Sequence, residues 1–86
     1  MKDPFFAILL TVDQIVEKQQ KEMLKCARKI TPHLTEDDVL QPNDFLELEN
    51  NPHFRFEEGF LMGAKTVQMA ISALQREFSK PIDDHV

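Results

Sequence analysis

The sequence contains no tryptophan or tyrosine, only two glycines and one cysteine among its 86 residues. The lone Cys26 excludes an internal disulfide and favours a reducing compartment. Scarce glycine beside abundant Leu, Glu, Gln and Lys favours helices over strands, because these residues have high helix propensity. No apolar run approaches the roughly 20 residues of a membrane span, and the first residues lack the cleavage site of a signal peptide. We therefore expect a cytoplasmic protein with no membrane partner.

Positively charged residues are also fewer than negatively charged ones. Ten Lys and Arg residues stand against fifteen Asp and Glu, which gives a formal net charge of −5. Because neutralisation of phosphate supplies most of the affinity for nucleic acid, we expect no nucleic-acid partner. Hydrophobic residues make up 42% and charged residues 29%, as in globular proteins. The length allows one small domain, residues 1–86.

Residues 4–30 are predicted to form the first of two long amphipathic helices. Asp3 is a suitable N-cap, and Pro4 suits the first helical position. Apolar or core-facing positions then recur in alternating steps of four and three: Phe5, Leu9, Val12, Val16, Gln19, Met23, Cys26 and Ile30, widened by Ile8, Ile15 and Ala27. Pro32 disfavours helical geometry at Thr31, so the helix should end near Ile30.

The second long helix is predicted over residues 52–78, with Asn51 as its cap and Pro52 at its first position. Its large apolar residues again alternate steps of four and three, and we expect this stripe to face the first helix. The stripe comprises Phe60, Ala64, Val67, Ile71, Leu74 and Phe78. Residues 80–86 are expected to fray.

Residues 31–51 read as a connector with short helical turns at about 36–40 and 43–49. Thr35 followed by three acidic residues resembles an N-cap with an acidic first turn. A structureless connector of this length would be unusual in a compact domain. Its apolar residues and the start of the second helix should therefore pack onto the long helices: Phe45, Leu46, Leu48 and Phe54.

The predicted fold is all-α, with two near-antiparallel helices joined by this connector. A pair of rods about 40 Å long buries only one side of each rod, and small cores often need oligomerisation. Twofold dimers are the commonest oligomers. We therefore expect two chains to pair into a four-helix homodimer.

Both glycines lie within the second predicted helix, where each costs roughly 1 kcal/mol relative to alanine. At about 100° per residue they share a narrow face of small residues that two methionines flank: Gly59, Gly63, Thr66, Ala70 and Ala73, with Met62 and Met69. Small residues permit close approach, so this face is predicted to pack against a second backbone in the dimer. The alternative is that Gly59 breaks the helix near its start.

Gln19 is a polar residue in the middle of the first apolar stripe. It either fixes the register of the dimer, as single polar residues do in coiled coils, or lies exposed at a gap in the packing.

Charge is unevenly distributed along the chain. Residues 17–30 carry five cations and two acids, a net charge of +3, whereas residues 36–58 carry eight acids and one Arg, a net charge of −7. The favoured interpretation is that the acidic connector lies over the cationic end of the first helix. The alternative is an acidic surface for a basic partner protein, formed by Glu36, Asp37, Asp38, Asp44, Glu47 and Glu49.

No catalytic constellation is evident. The sequence has no EF-hand spacing and no Glu-x-x-His pair, while His33, His53 and His85 share no ligand spacing. Cys26 on the apolar stripe suits a small buried hydrophobe. We assign no catalytic, cofactor or metal residue. The sequence favours a non-catalytic interaction module, such as an adaptor, small chaperone or regulatory subunit; the alternative is a small metal-dependent enzyme using carboxylates of residues 36–58.

Overall fold

The computed structural model describes residues 3–79, so the predicted fraying of residues 80–86 lies outside the described range. Four α-helices follow one another in the order α1 (Pro4–Ile30), α2 (Glu36–Val39), α3 (Leu46–Glu49) and α4 (Pro52–Ser79), with a 3-10 turn (Pro42–Asp44) between α2 and α3. This part of the chain contains no strand, which confirms the all-α prediction. None of its helices is long and apolar enough to cross a membrane.

The predicted caps form at the helix boundaries. The Asp3 carboxylate accepts a hydrogen bond from the Phe5 amide at 2.8 Å, and Asn51 Oδ1 accepts one from the Phe54 amide at 2.9 Å. At α2, the Asp38 amide donates to the Thr35 hydroxyl while the Thr35 amide donates to the Asp38 carboxylate. These bonds satisfy amides that the first helical turn leaves without partners.

The chain leaves α1 without a glycine at the turn. Thr31 is extended, as expected before Pro32. His33 then adopts φ 71°, in the left-handed region that non-glycine residues seldom occupy. His33 is exposed, so this strained turn lies at the helix boundary and at the surface.

Side-chain contacts along α1 and α4 establish that the two helices run antiparallel. Gln75 Nε2 donates to Asp3 Oδ2 at 2.9 Å, and Gln68 Nε2 donates to Asp13 Oδ1 at 2.7 Å. The rings of Phe5 and Phe78 meet edge to face, with centroids 5.2 Å apart. The predicted antiparallel arrangement of the long helices is therefore confirmed.

The core lies at the connector end of this helical pair. Residues from α1, the connector and α4 meet there: Val16, Met23, Cys26, Ala27, Leu34, Val39, Leu48, Phe54 and Leu61. Leu48 and Phe54 are fully buried, and Phe45 is half-buried, as predicted. Leu46 was expected to join them, but this prediction is wrong, because its side chain remains 68% exposed.

The side of α4 that faces α1 differs from the prediction. Phe54 and Leu61 are the buried residues of α4, and Gln68 and Gln75, at steps of seven beyond Leu61, bond to α1. Four of the six residues of the predicted stripe are therefore not buried against α1: Phe60, Val67, Leu74 and Phe78 are each more than half exposed. Only Ala64 and Ile71 of that stripe are half-buried. The helix is rotated so that glutamines replace large apolar residues at the open end of the α1–α4 contact.

The two leucines of α3 provide a matched test of the core. Replacing Leu48 by alanine should lower the free energy of unfolding by about 2–5 kcal/mol, because a fully buried leucine leaves a cavity. Leu46→Ala, two residues away on the exposed side, should change it by no more than about 0.5 kcal/mol. Urea denaturation of both variants at one protein concentration measures the difference, and equal losses would contradict the described orientation of α3.

Candidate functional site

An exposed apolar surface runs along one side of the α1–α4 pair. We call it the apolar face, and it consists of Ile8, Ile15, Phe60, Val67 and Leu74, each between 44% and 54% exposed. Between its residues lies an open groove lined by Val12, Ile15, Gly59, Phe60, Gly63, Ala64 and Val67. The groove carries no ionisable side chain. Contiguous apolar surface of this kind marks interaction sites on proteins.

The glycines border this groove. Helix α4 continues through Gly59 and Gly63 without interruption, so the alternative that Gly59 breaks the helix is wrong. A Cβ atom placed on either glycine would meet no side chain or neighbouring element within 4 Å in the described part of the chain. Nothing among residues 3–79 therefore requires a glycine at either position.

The rest of the predicted small-residue face also points away from α1. Thr66, Ala70, Ala73, Met62 and Met69 are all exposed, and the Thr66 hydroxyl donates to the carbonyl oxygen of Met62 at 2.8 Å. No described element of the chain covers these side chains. The prediction that a second backbone packs here stays a prediction.

Gln19 is buried, with 7% of its surface exposed. Its Nε2 donates to the Glu57 carbonyl oxygen at 3.0 Å and to Glu57 Oε2 at 2.6 Å. The interpretation that Gln19 lies exposed is wrong, because its side chain is buried and bonded to Glu57. Its influence on the register of a dimer stays a prediction. Its partner Glu57 lies in the first turns of α4. The sequence marks Glu57 only as one of the carboxylates of residues 36–58, and no pattern pairs it with Gln19. The pair links the two long helices at the edge of the core.

The surroundings of Glu57 combine two further groups that could suggest chemistry. His53 Nε2 lies 3.6 Å from Glu57 Oε1, but its side chain is 71% exposed. Cys26 is buried, as predicted. Burial raises the pKa of the Cys26 thiol, the Glu57 carboxylate raises it further, and Lys29 opposes this shift. A raised pKa keeps the thiol protonated and unreactive, which is the reverse of what a nucleophilic cysteine requires.

The acidic connector lies against the cationic half of α1, as the favoured interpretation expects: its buried side chains pack onto Met23, Cys26 and Ala27. Direct ion pairs do not link the two segments. Among the described residues, the ion pairs join Lys21 to Glu17, His53 to Glu57 and Arg55 to Glu58, each within a single helix. Instead, Arg28 Nε donates to the Leu34 carbonyl oxygen at 2.8 Å.

The connector carboxylates remain largely at the surface. Of the six predicted to form an acidic surface, Asp38 is half-buried in its capping interaction. The others are exposed: Glu36, Asp37, Asp44, Glu47 and Glu49. Within residues 3–79, no three His, Cys, Asp or Glu side chains are grouped so that they could hold a metal ion.

The Gln19–Glu57 link can be tested against the adjacent glutamine. Gln19→Ala should lower the free energy of unfolding by about 1–3 kcal/mol, because the carbonyl and carboxylate oxygens of Glu57 lose the Gln19 Nε2 donor. Gln20→Ala removes an exposed glutamine and should change stability by no more than about 0.5 kcal/mol. Urea denaturation at matched concentrations compares them, and indistinguishable variants would mean that the link contributes nothing.

The state of Cys26 predicts its reactivity. The native protein at neutral pH should react with a thiol reagent far more slowly than the same protein in denaturant, since the thiol is buried and its pKa is raised. Stopped-flow labelling with a chromogenic disulfide measures both rates. Equal rates would show that Cys26 is accessible in the native state.

Known proteins offer no template for this arrangement. The sequence matches no family model, and neither curated proteins nor solved structures gave a match. A pair of antiparallel helices is compatible with many functions, so function has to be inferred from the surface and its chemistry. The most distinctive surface of this chain is the uncovered apolar face beside the glycines of α4.

Proposed function

We propose that this chain is a non-catalytic helical interaction module that works as a homodimer. The observation that carries the proposal is the apolar face, five large exposed side chains of which Ile15, Phe60 and Val67 line a groove with no ionisable side chain. Exposing these side chains to water is unfavourable, and covering them would stabilise the assembly by roughly 25 cal/mol for each Å² of apolar area removed.

The balance of exposed and buried side chains supports association. Among the described residues, thirteen large hydrophobic side chains are at least 44% exposed, whereas nine hydrophobic residues are buried. Large apolar surfaces left uncovered on a small protein mark interaction sites.

The acidic connector suggests how a dimer could act as an adaptor or regulatory subunit. Its exposed carboxylates form no ion pair with another element of the described chain, so their charge remains available to a basic partner protein. Each dimer would present two such surfaces. The alternative of a metal-dependent enzyme has no ligand cluster among residues 3–79 in its favour.

Sedimentation equilibrium tests the homodimer directly. The wild-type protein should be dimeric at tens of micromolar, and Gly63→Leu should weaken the association while the chain stays helical, because overpacking at a contact typically costs about 1–3 kcal/mol. Gln14→Leu adds the same side chain at an exposed site on the polar side of α1 and should leave association unchanged.

A second control separates packing from helix propensity. Gly63→Ala should stabilise the helix by up to about 1 kcal/mol, since the added Cβ meets no neighbouring element among the residues that the structure describes. Far-UV circular dichroism verifies that each variant remains helical. A monomeric wild type would refute the homodimer, whereas dimers of equal strength for wild type and Gly63→Leu would place the interface elsewhere.

A further inference from the structure

The exposed side of α4 carries a continuous apolar stripe that continues beyond the groove in both directions. We call it the α4 seam, and it comprises Phe56, Phe60, Gly63, Val67, Leu74 and Phe78. Its five large side chains are between 51% and 67% exposed. Their steps of three, four and seven keep them on one side of an α-helix, as in the contact seam of a helical pair.

The residues of the α4 seam are spaced almost symmetrically on either side of Val67 along the sequence. Ala64 and Ala70 lie three residues on either side of it, Phe60 and Leu74 lie seven, and Phe56 and Phe78 lie eleven. In an antiparallel pair of identical helices related by a twofold axis, residues equidistant from the centre contact each other. Such near-palindromic spacing is what a helix needs to pair with a second copy of itself.

We infer that two copies of this chain pair through antiparallel α4 helices, with Val67 of one copy opposite Val67 of the other. This inference rests on the homodimer proposed above and specifies its geometry. Phe60 then contacts Leu74 of the second copy, and Phe56 lies near Phe78 of the second copy. The second copy's backbone runs beside the groove formed by Ile15 and Val12.

The same register gives Gly63 a role. Gly63 lies four residues before Val67, so its counterpart is Ile71 of the second copy, four residues after Val67. The Cβ position of Gly63 is open within residues 3–79 of its own chain, which leaves room for that larger side chain. Large against small residues across a helical interface is a complementary packing arrangement.

Charge favours the antiparallel over the parallel arrangement. Residues 36–58 carry a net charge of −7 and lie at one end of the α1–α4 pair. A parallel pair would bring two such ends side by side, and like charges in proximity repel. Antiparallel pairing places them at opposite ends of the seam, which spans about 33 Å from Phe56 to Phe78 at 1.5 Å per residue.

Single cysteines placed on the seam test this register. Cys26→Ala provides a background without the native thiol, and the variants Val67→Cys, Phe60→Cys and Leu74→Cys are oxidised and separated on a non-reducing gel. Val67→Cys should shift from the monomer to the dimer band, since disulfides form only between Cα atoms within about 7 Å. Phe60→Cys alone should stay monomeric, because its two copies lie about 21 Å apart in the antiparallel register.

A mixture completes the test. Phe60→Cys and Leu74→Cys, each monomeric on the gel alone, should form a mixed disulfide dimer when combined. Self-crosslinking of Phe60→Cys instead would indicate parallel helices and overturn the inference. A sedimenting dimer with no crosslink in any arm would also overturn it while leaving the homodimer proposal intact. A monomeric wild type would refute both the homodimer and the antiparallel register. Circular dichroism of every variant tests whether unfolding explains a missing crosslink.

Discussion

The buried amide of Gln19 determines which side of α4 faces α1. Its Nε2 reaches both a backbone and a side-chain oxygen of Glu57, and a buried donor without such acceptors would be unfavourable. Gln68 and Gln75 continue this side of α4 with bonds to Asp13 and Asp3. Because these polar contacts occupy one side of α4, Phe60, Val67 and Leu74 are left exposed on another side. The apolar face therefore results from the rotation of α4 that turns its polar contacts towards α1.

The connector completes the core at only one end of the hairpin. Leu34, Val39 and Leu48 supply its buried side chains, and they contact the half of α1 that contains Met23 and Ala27. At the other end, the described chain offers only the long helices themselves, joined by the Phe5–Phe78 ring contact and the Asp3–Gln75 hydrogen bond. Apolar side chains at that end, such as Phe6 and Leu10, remain substantially exposed. The hairpin is therefore well packed near its connector and incompletely covered near its open end.

The sequence was sufficient to predict the elements and their ends, because caps and prolines act locally. Asp3, Thr35 and Asn51 each cap the predicted helix. The main stripe of α1, from Phe5 to Ile30, is buried or half-buried. The pattern also places Ile8 and Ile15 beside that stripe, but they are 44% and 47% exposed. The rotation of α4 could not be predicted by the same means. Helix α4 has two apolar stripes. The stripe that faces α1 continues as Gln68 and Gln75, and these residues stabilise the contact only because Asp13 and Asp3, distant in sequence, accept their hydrogen bonds. For the same reason, the sequence pattern predicts Phe60, Val67 and Leu74 to be core residues, whereas the structure exposes them in the candidate site.

Proline and glycine are unevenly placed along this hairpin. Pro32 and Pro42 lie in the connector and Pro52 begins α4, and prolines restrict the unfolded chain and so reduce the entropy lost on ordering it. Both glycines instead lie in the middle of a helix, where they enlarge the conformational freedom of the unfolded segment. Proline therefore lowers the entropic cost of ordering the connector. The two glycines raise the entropic cost of ordering the exposed side of α4.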